Sequence, residues 1–188
     1  GSDNVAIGRN SADALTSAGD NIAIGHSAFG AGTTGCINIA IGLNAMGLTD
    51  VVGDSNIAIG SGTLDALLAG NNNIGLGNGA LGGATTGTYN IGIGHNALGV
   101  AAVTGANNIA IGQAAGDALT CGAQNVGIGN GALGGVASGD KNIAIGVAAM
   151  DSAVTGIDNI AMGYASSDAL SSGKCNIGIG VHTNGLLE

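Results

Sequence analysis

Residues Asn90 to Asn107 read N-I-G-I-G-H-N-A-L-G-V-A-A-V-T-G-A-N, and this stretch decides the fold. Ile91 and Ile93 point to one side of an extended segment and Gly92 to the other. Period-two alternation with β-branched residues is the pattern of a short strand. Gly94 follows as a corner, where a residue without Cβ allows positive φ or close approach of another backbone. A second short apolar piece, Ala97-Leu98, comes next. The chain then loosens into Ala, Val and Thr and closes at a second glycine, Gly105. Two short strands and two turns in so few residues make one rung of a β-solenoid.

The same phrase recurs along the whole chain. It begins at Asn4, Asn21, Asn38, Asn56, Asn73, Asn90, Asn108, Asn125, Asn142, Asn159 and Asn176, at intervals of 17 or 18 residues. A constant period of this size predicts stacked, near-identical units, each touching mainly its neighbours. The expected architecture is an all-β parallel β-solenoid (a β-roll) of about 11 coils, forming one domain over residues 3–186. Gly1-Ser2 and Leu187-Glu188 read as cloning remnants outside the repeat. A helical reading fails. Glycine costs about 1 kcal/mol against alanine in a helix, and no 3.6-residue stripe survives across the glycine corners.

Stacking turns each repeat position into a column. The opening Asn column has two structural readings: a hydrogen-bonded amide ladder along the axis, or a turn conformation that Asn tolerates. The position between the two aliphatic residues is Ala or Gly in every copy, from Ala6 and Ala23 to Ala161 and Gly178. With the Ile ladder assigned to the core, this small column is expected on the outer face, as a flat stripe packed against an identical chain. Asp-Ala-Leu appears at Asp13, Asp65, Asp117 and Asp168, in every third coil. Duplication of a three-coil block accounts for that superperiod. A partner touching every third coil, about 14 Å apart at strand spacing, is the alternative.

Composition narrows the function. Hydrophobic residues make up 45% of the 188, yet there is one Phe, two Tyr, no Trp and no Pro. Such a core suits thin stacked coils better than a globule built on aromatic residues. Arg9, Lys141 and Lys174 are the whole basic complement against a net charge of -9. That cannot neutralise a run of phosphates, so nucleic acid is excluded as a partner. No apolar run approaches the roughly 20 residues that span a bilayer, so no membrane insertion is expected. Cys121 and Cys175 lie three coils apart, about 14 Å at strand spacing. A disulfide needs Cα atoms within about 7 Å. Cys36, Cys121 and Cys175 are therefore expected as free thiols or interchain links, consistent with assembly in a reducing compartment.

No catalytic, cofactor or metal constellation emerges, and the chain does not read as an enzyme. G-x-G-x-x-G at Gly77, Gly79 and Gly82, and at Gly129, Gly131 and Gly134, falls on repeat corners rather than before a helix. His26 and His95 share one position, five residues after the opening Asn, about 19 Å apart at strand spacing and too far to share a metal. Other coils place Arg9, Leu43, Ser61 or Tyr164 there, a tolerance that marks an exposed column. The acidic residues near the second turn (Asp20, Asp50, Asp54, Asp140, Asp158) lack the spacing of calcium-binding solenoids and read as solvated turn residues.

The phrases N-V-A-I-G-R-N-S (Asn4 to Ser11) and N-I-A-I-G-H-S-A (Asn21 to Ala28) resemble the head repeat of trimeric autotransporter adhesins. With the continuation Asn44-Ala45-Met46 or Asn96-Ala97-Leu98, the phrase is also similar to repeats of bacteriophage tail fibres. The resemblance covers nearly the whole chain, although the repeat is longer than that of adhesin heads, with the extra residues in its Thr/Gly half. It implies a homotrimer of parallel solenoids on a cell surface (outer membrane-anchored and extracellular) or on a virion. It further implies attachment to a host-surface receptor or glycan. Any such contact would use variable corner residues, with Arg9, His26, His95 and Tyr164 as the candidates. An ice-binding solenoid using the flat Ala/Gly face is the alternative, weakened because Thr occurs at shifting positions (Thr33-Thr34, Thr85-Thr86, Thr104, Thr155).

Overall fold

The computed structural model describes residues 1–100, 102–135, 138–152, 155–170 and 172–183. Leu187-Glu188, read above as a remnant, lies outside them, as do the last three residues of the expected domain. Among the described residues there is no helix. Eleven three-residue strands follow one another: β1 (Val5–Ile7), β2 (Ile22–Ile24), β3 (Ile39–Ile41), β4 (Ile57–Ile59), β5 (Ile74–Leu76), β6 (Ile91–Ile93), β7 (Ile109–Ile111), β8 (Val126–Ile128), β9 (Ile143–Ile145), β10 (Ile160–Met162) and β11 (Ile177–Ile179). They form a single parallel sheet in sequential order. Each residue pairs with its repeat mate, so that Ile91 lies beside Ile109, Gly92 beside Ala110 and Ile93 beside Ile111. The stacked-coil expectation is met.

A strand of three residues is too short to hold by itself, and hydrogen bonds to the coils above and below fix it. Ile91 N donates to Asn108 O and Gly94 N to Leu76 O, both at 2.8 Å, and the pattern repeats coil after coil. The corner glycines have φ between +126° and +137° at Gly180, Gly94 and Gly60, for example. A Cβ on Gly94 would sit 2.5 Å from Gly112 O. Positive φ and close stacking both demand glycine there, as the sequence indicated.

The second apolar piece is not a strand. Residues 95–98 form a turn in which Asn96 and Leu98 are left-handed, each at φ +52°, with Ala97 between them outside that region. The reversals aim Ala97 and Leu98 inward, where both are fully buried. Each coil therefore has one strand and one long turn, correcting the expectation of two strands. The residue before each opening Asn is also left-handed, with φ from +56° at Lys141 to +62° at Asn107.

The core corrects a second expectation. The Ala/Gly column points into the solenoid: Ala23, Ala40, Ala58, Ala144 and Ala161 are fully buried. The flanking aliphatic residues point out. Sterics decide this, because the facing wall of the coil is close. A Cβ on Gly75 would meet Thr63 Cγ2 at 2.6 Å, and one on Gly92 would meet Ala97 O at 2.9 Å. The interior is filled from the turn instead, by Phe29, Met46, Leu64, Leu81, Leu98, Leu133 and Met150.

A second set of fillers carries the three-coil superperiod. Leu67, Leu119 and Leu170 of the Asp-Ala-Leu phrases are buried in coils four, seven and ten, and Val51 and Val103 are buried in the 18-residue coils. The superperiod thus alternates ways of filling the same volume.

Candidate functional site

The opening Asn residues form a ladder inside the rod. Asn108 Nδ2 donates to Asn90 Oδ1 at 3.0 Å and to Gly122 O at 2.8 Å. Its own Oδ1 accepts from Asn125 N at 3.0 Å and from Asn125 Nδ2 at 3.1 Å. Each amide from Asn21 to Asn159 closes its coil onto the second glycine, and its oxygen ties that coil to the next. From Asn21 to Asn159 these residues are 0–1% exposed. Of the two readings of this column, the ladder is the one found; the left-handed turn residue is the one before it.

Outside the rod, the two aliphatic columns make a continuous face. One runs from Val5 and Ile22 to Ile177, the other from Ile7 and Ile24 to Ile179, with only Val, Ile, Leu and Met in either. In mid-rod, Ile59, Ile111, Ile128 and Met162 are 41, 36, 37 and 39% exposed. Isolated exposed aliphatic residues are ordinary, but an unbroken band along an entire molecule is not. The flat face that the sequence reading placed on Ala and Gly is therefore absent, and the ice-binding alternative loses the surface it relied on.

The variable column beyond the corner glycines forms one rim of this face and holds all four candidate residues. Arg9, His95 and Tyr164 are exposed and His26 is half-buried. Arg9 Nη2 lies 2.8 Å from His26 Nε2. A guanidinium only donates, so Nε2 accepts. His95 stands four coils from His26. Tyr164 stacks edge-on against His182, with ring centroids 5.3 Å apart. His182 Nδ1 in turn lies 3.9 Å from Asp168 Oδ2. The candidates form two separate pairs and a lone His rather than one site. His182 had no part in the sequence-based candidates; its neighbour one coil back was the available signal.

Carboxylates line the far end of the long turn. Burial pushes the Asp65 and Asp117 carboxyls above the ordinary range, opposed in each case by backbone N–H groups of the same turn. Asp151, although exposed on the surface, is raised first by partial desolvation of its carboxyl, then by repulsion from Asp117 and Asp168. Beside Asp65, Asn78 and Asn96 edge a shallow groove floored by Gly79 and Gly82. Among the described residues no three His, Cys, Asp or Glu side chains come together as a metal site. The turn acids are more than solvated ornaments: Asp50 accepts from Thr33 N, Asp54 from Cys36 N and Asp140 from Ala123 N, each across one coil. Cys36 is half-buried, Cys121 and Cys175 are exposed, and all three are free thiols. No described helix is long and apolar enough to cross a membrane.

Compared with known proteins, the chain matches no family, no curated sequence and no solved structure.

Proposed function

We propose that the chain is a structural and adhesive rod, the shaft or head segment of a surface adhesin or phage tail fibre, assembled as a homotrimer and serving attachment outside the cell or on a virion. The observation that carries this reading is the unbroken sheet: ten strand steps, about 48 Å at the usual spacing, with the same flanking backbone hydrogen bonds at every level. A molecule that spends its sequence on axial regularity, with its polar candidates scattered along a rim, is organised to span distance and present surface. It is not organised to enclose a substrate. The resemblance of the Asn-initiated phrase to adhesin heads and tail fibres supports the same conclusion. Attachment would fall to the rim column, where Arg9, His26, His95 and Tyr164 vary what the rod displays to a receptor or glycan.

Gel filtration with light scattering tests the assembly. The expected mass is three times the 17.5 kDa of the chain, and a monomer at all concentrations would remove the trimer. Beads coated with the protein test adhesion against panels of bacterial and animal cells. Retention lost on combined Arg9→Ala, His26→Ala, His95→Ala and Tyr164→Ala substitution is expected, and retention by none of the cells would remove the adhesive half of the reading.

A further inference from the structure

We infer that the two-column aliphatic face is the surface by which copies of this chain meet, and that its occupant is the same face of the other copies in the proposed trimer. This rests on the reading of the chain as a self-assembling rod and names where the copies join. Three observations point to a copy of the chain.

The first is area. Ten strand steps give a length of about 48 Å, and two columns two residues apart, with a side chain's breadth on either side, give a width of about 12 Å. The band is thus roughly 600 Å² per chain, at the upper limit of what an ordinary monomer leaves open. Three such bands meeting about one axis together hide about 1,800 Å², an area of the size that specific assemblies bury.

The second is charge. The chain carries -9, yet neither column contains a charged residue, so a copy can approach through a face that brings no carboxylate with it. The third is pitch. The side chains recur once per coil along the whole length. A surface that matches those ridges at every level must have the same repeat, and an identical rod has it by construction. Beside the band the rim column is mostly polar, with exposed Leu43, Val147 and Val181 extending the apolar surface into it.

The experiment compares wild-type chain with the double variant Ile93→Lys/Ile111→Lys, at the middle of one column, and with Val52→Lys/Leu68→Lys, an exposed apolar pair outside both columns. The expected result is a wild type and a control at three times the chain mass, and a face variant of 17.5 kDa with unchanged far-ultraviolet circular dichroism. If the lysine variant fails to fold, Ile93→Thr/Ile111→Thr keeps the β-branched shape and is expected to dissociate at a protein concentration at least tenfold higher than wild type. A face variant that keeps the wild-type mass overturns the assignment of the face while leaving self-assembly standing. A monomeric wild type overturns self-assembly itself. Flotation of that monomer with phosphatidylcholine vesicles would give the face to a lipid surface.

Discussion

Replacing Asn108 by Ala removes one rung of the internal ladder while leaving the strand sequence untouched. The truncation leaves two buried backbone groups without partners: Asn125 N–H, which Asn108 Oδ1 accepts, and Gly122 C=O, to which Asn108 Nδ2 donates. Asn125 Nδ2 keeps its bond to Gly139 O at 2.8 Å, so it is only partly deprived. An unsatisfied buried polar group costs about 1–3 kcal/mol, so the pair predicts a loss of about 2–6 kcal/mol. Against a typical domain stability of about 5–15 kcal/mol this is a large fraction. Urea unfolding followed by far-ultraviolet circular dichroism reads the loss as a lower midpoint. The reference is Asn130→Ala, an exposed amide whose one side-chain bond, to Gln113 Oε1, is 3.3 Å long. That control is expected to move stability by less than about 0.5 kcal/mol. Because each coil touches only its neighbours, the damage is local, and amide exchange is expected to rise most in β7 and β8. An Asn108→Ala protein that unfolds with the Asn130→Ala control would refute the claim that the ladder holds the coils together.

Other perturbations separate the remaining forces. Gly129→Ala, at φ +134° with a Cβ 2.5 Å from Gly146 O, is expected to cost well over about 1 kcal/mol. Gly131→Asn two residues on, at φ +63° with nothing nearer than Asp151 Oδ1 at 4.0 Å, is expected within about 1 kcal/mol of wild type. Thermal unfolding of the two proteins decides between conformational and steric need for glycine. Gly32→Ala would place a Cβ 2.8 Å from Phe29 Cζ, so its cost is expected to shrink in a Phe29→Leu background. A double-mutant cycle should return a coupling of about 0.5–3 kcal/mol, and additive effects would show that the ring moves freely. Asp151 has its carboxyl raised in the folded state by partial desolvation and by Asp117 and Asp168, so the folded protein takes up a proton there more readily than the unfolded one. The ionised form is the destabilising one. Stability is expected to rise as pH falls through the raised value, and Asp151→Asn to stabilise at pH 7 but not below the ordinary carboxyl value of 3.8. Melting curves at the two pH values check the sign.

What could be read from the residues was set by repetition. The period of 17 or 18, the single sheet, the register and the corner glycines all follow from columns that keep one residue type over eleven coils, because stacking forces each column into one environment. The left-handed residue before each Asn had no such signature. Asp20, Ile37, Tyr89, Lys141 and Cys175 occupy it with φ near +60°, although a β-branched or bulky residue resists that conformation. The fixed neighbours on either side impose the reversal: Ile37 N donates to Gly19 O, and the next residue, Asn38, is locked into the ladder. Identity is free where the backbone is dictated from outside.

The orientation of the strand is legible in the size of its residues rather than in their hydrophobicity. Hydrophobicity assigned Ile to the core and Ala or Gly to the outer face. Size tolerance says the reverse. A column that admits only Ala and Gly in all eleven coils is limited by something opposite it, and an outer face limits nothing. The columns on either side accept Val, Ile, Leu and Met, as a surface does when only apolar character is required. The interior is so narrow that one or two large side chains per coil, Phe29 in coil two or Leu98 with Val103 in coil six, fill it. The aliphatic residues displaced by that narrowness are left facing water in two files. A rod whose core is too thin to hold its own isoleucines has its largest apolar surface outside. Burying that surface needs a second molecule rather than a second layer of the same one.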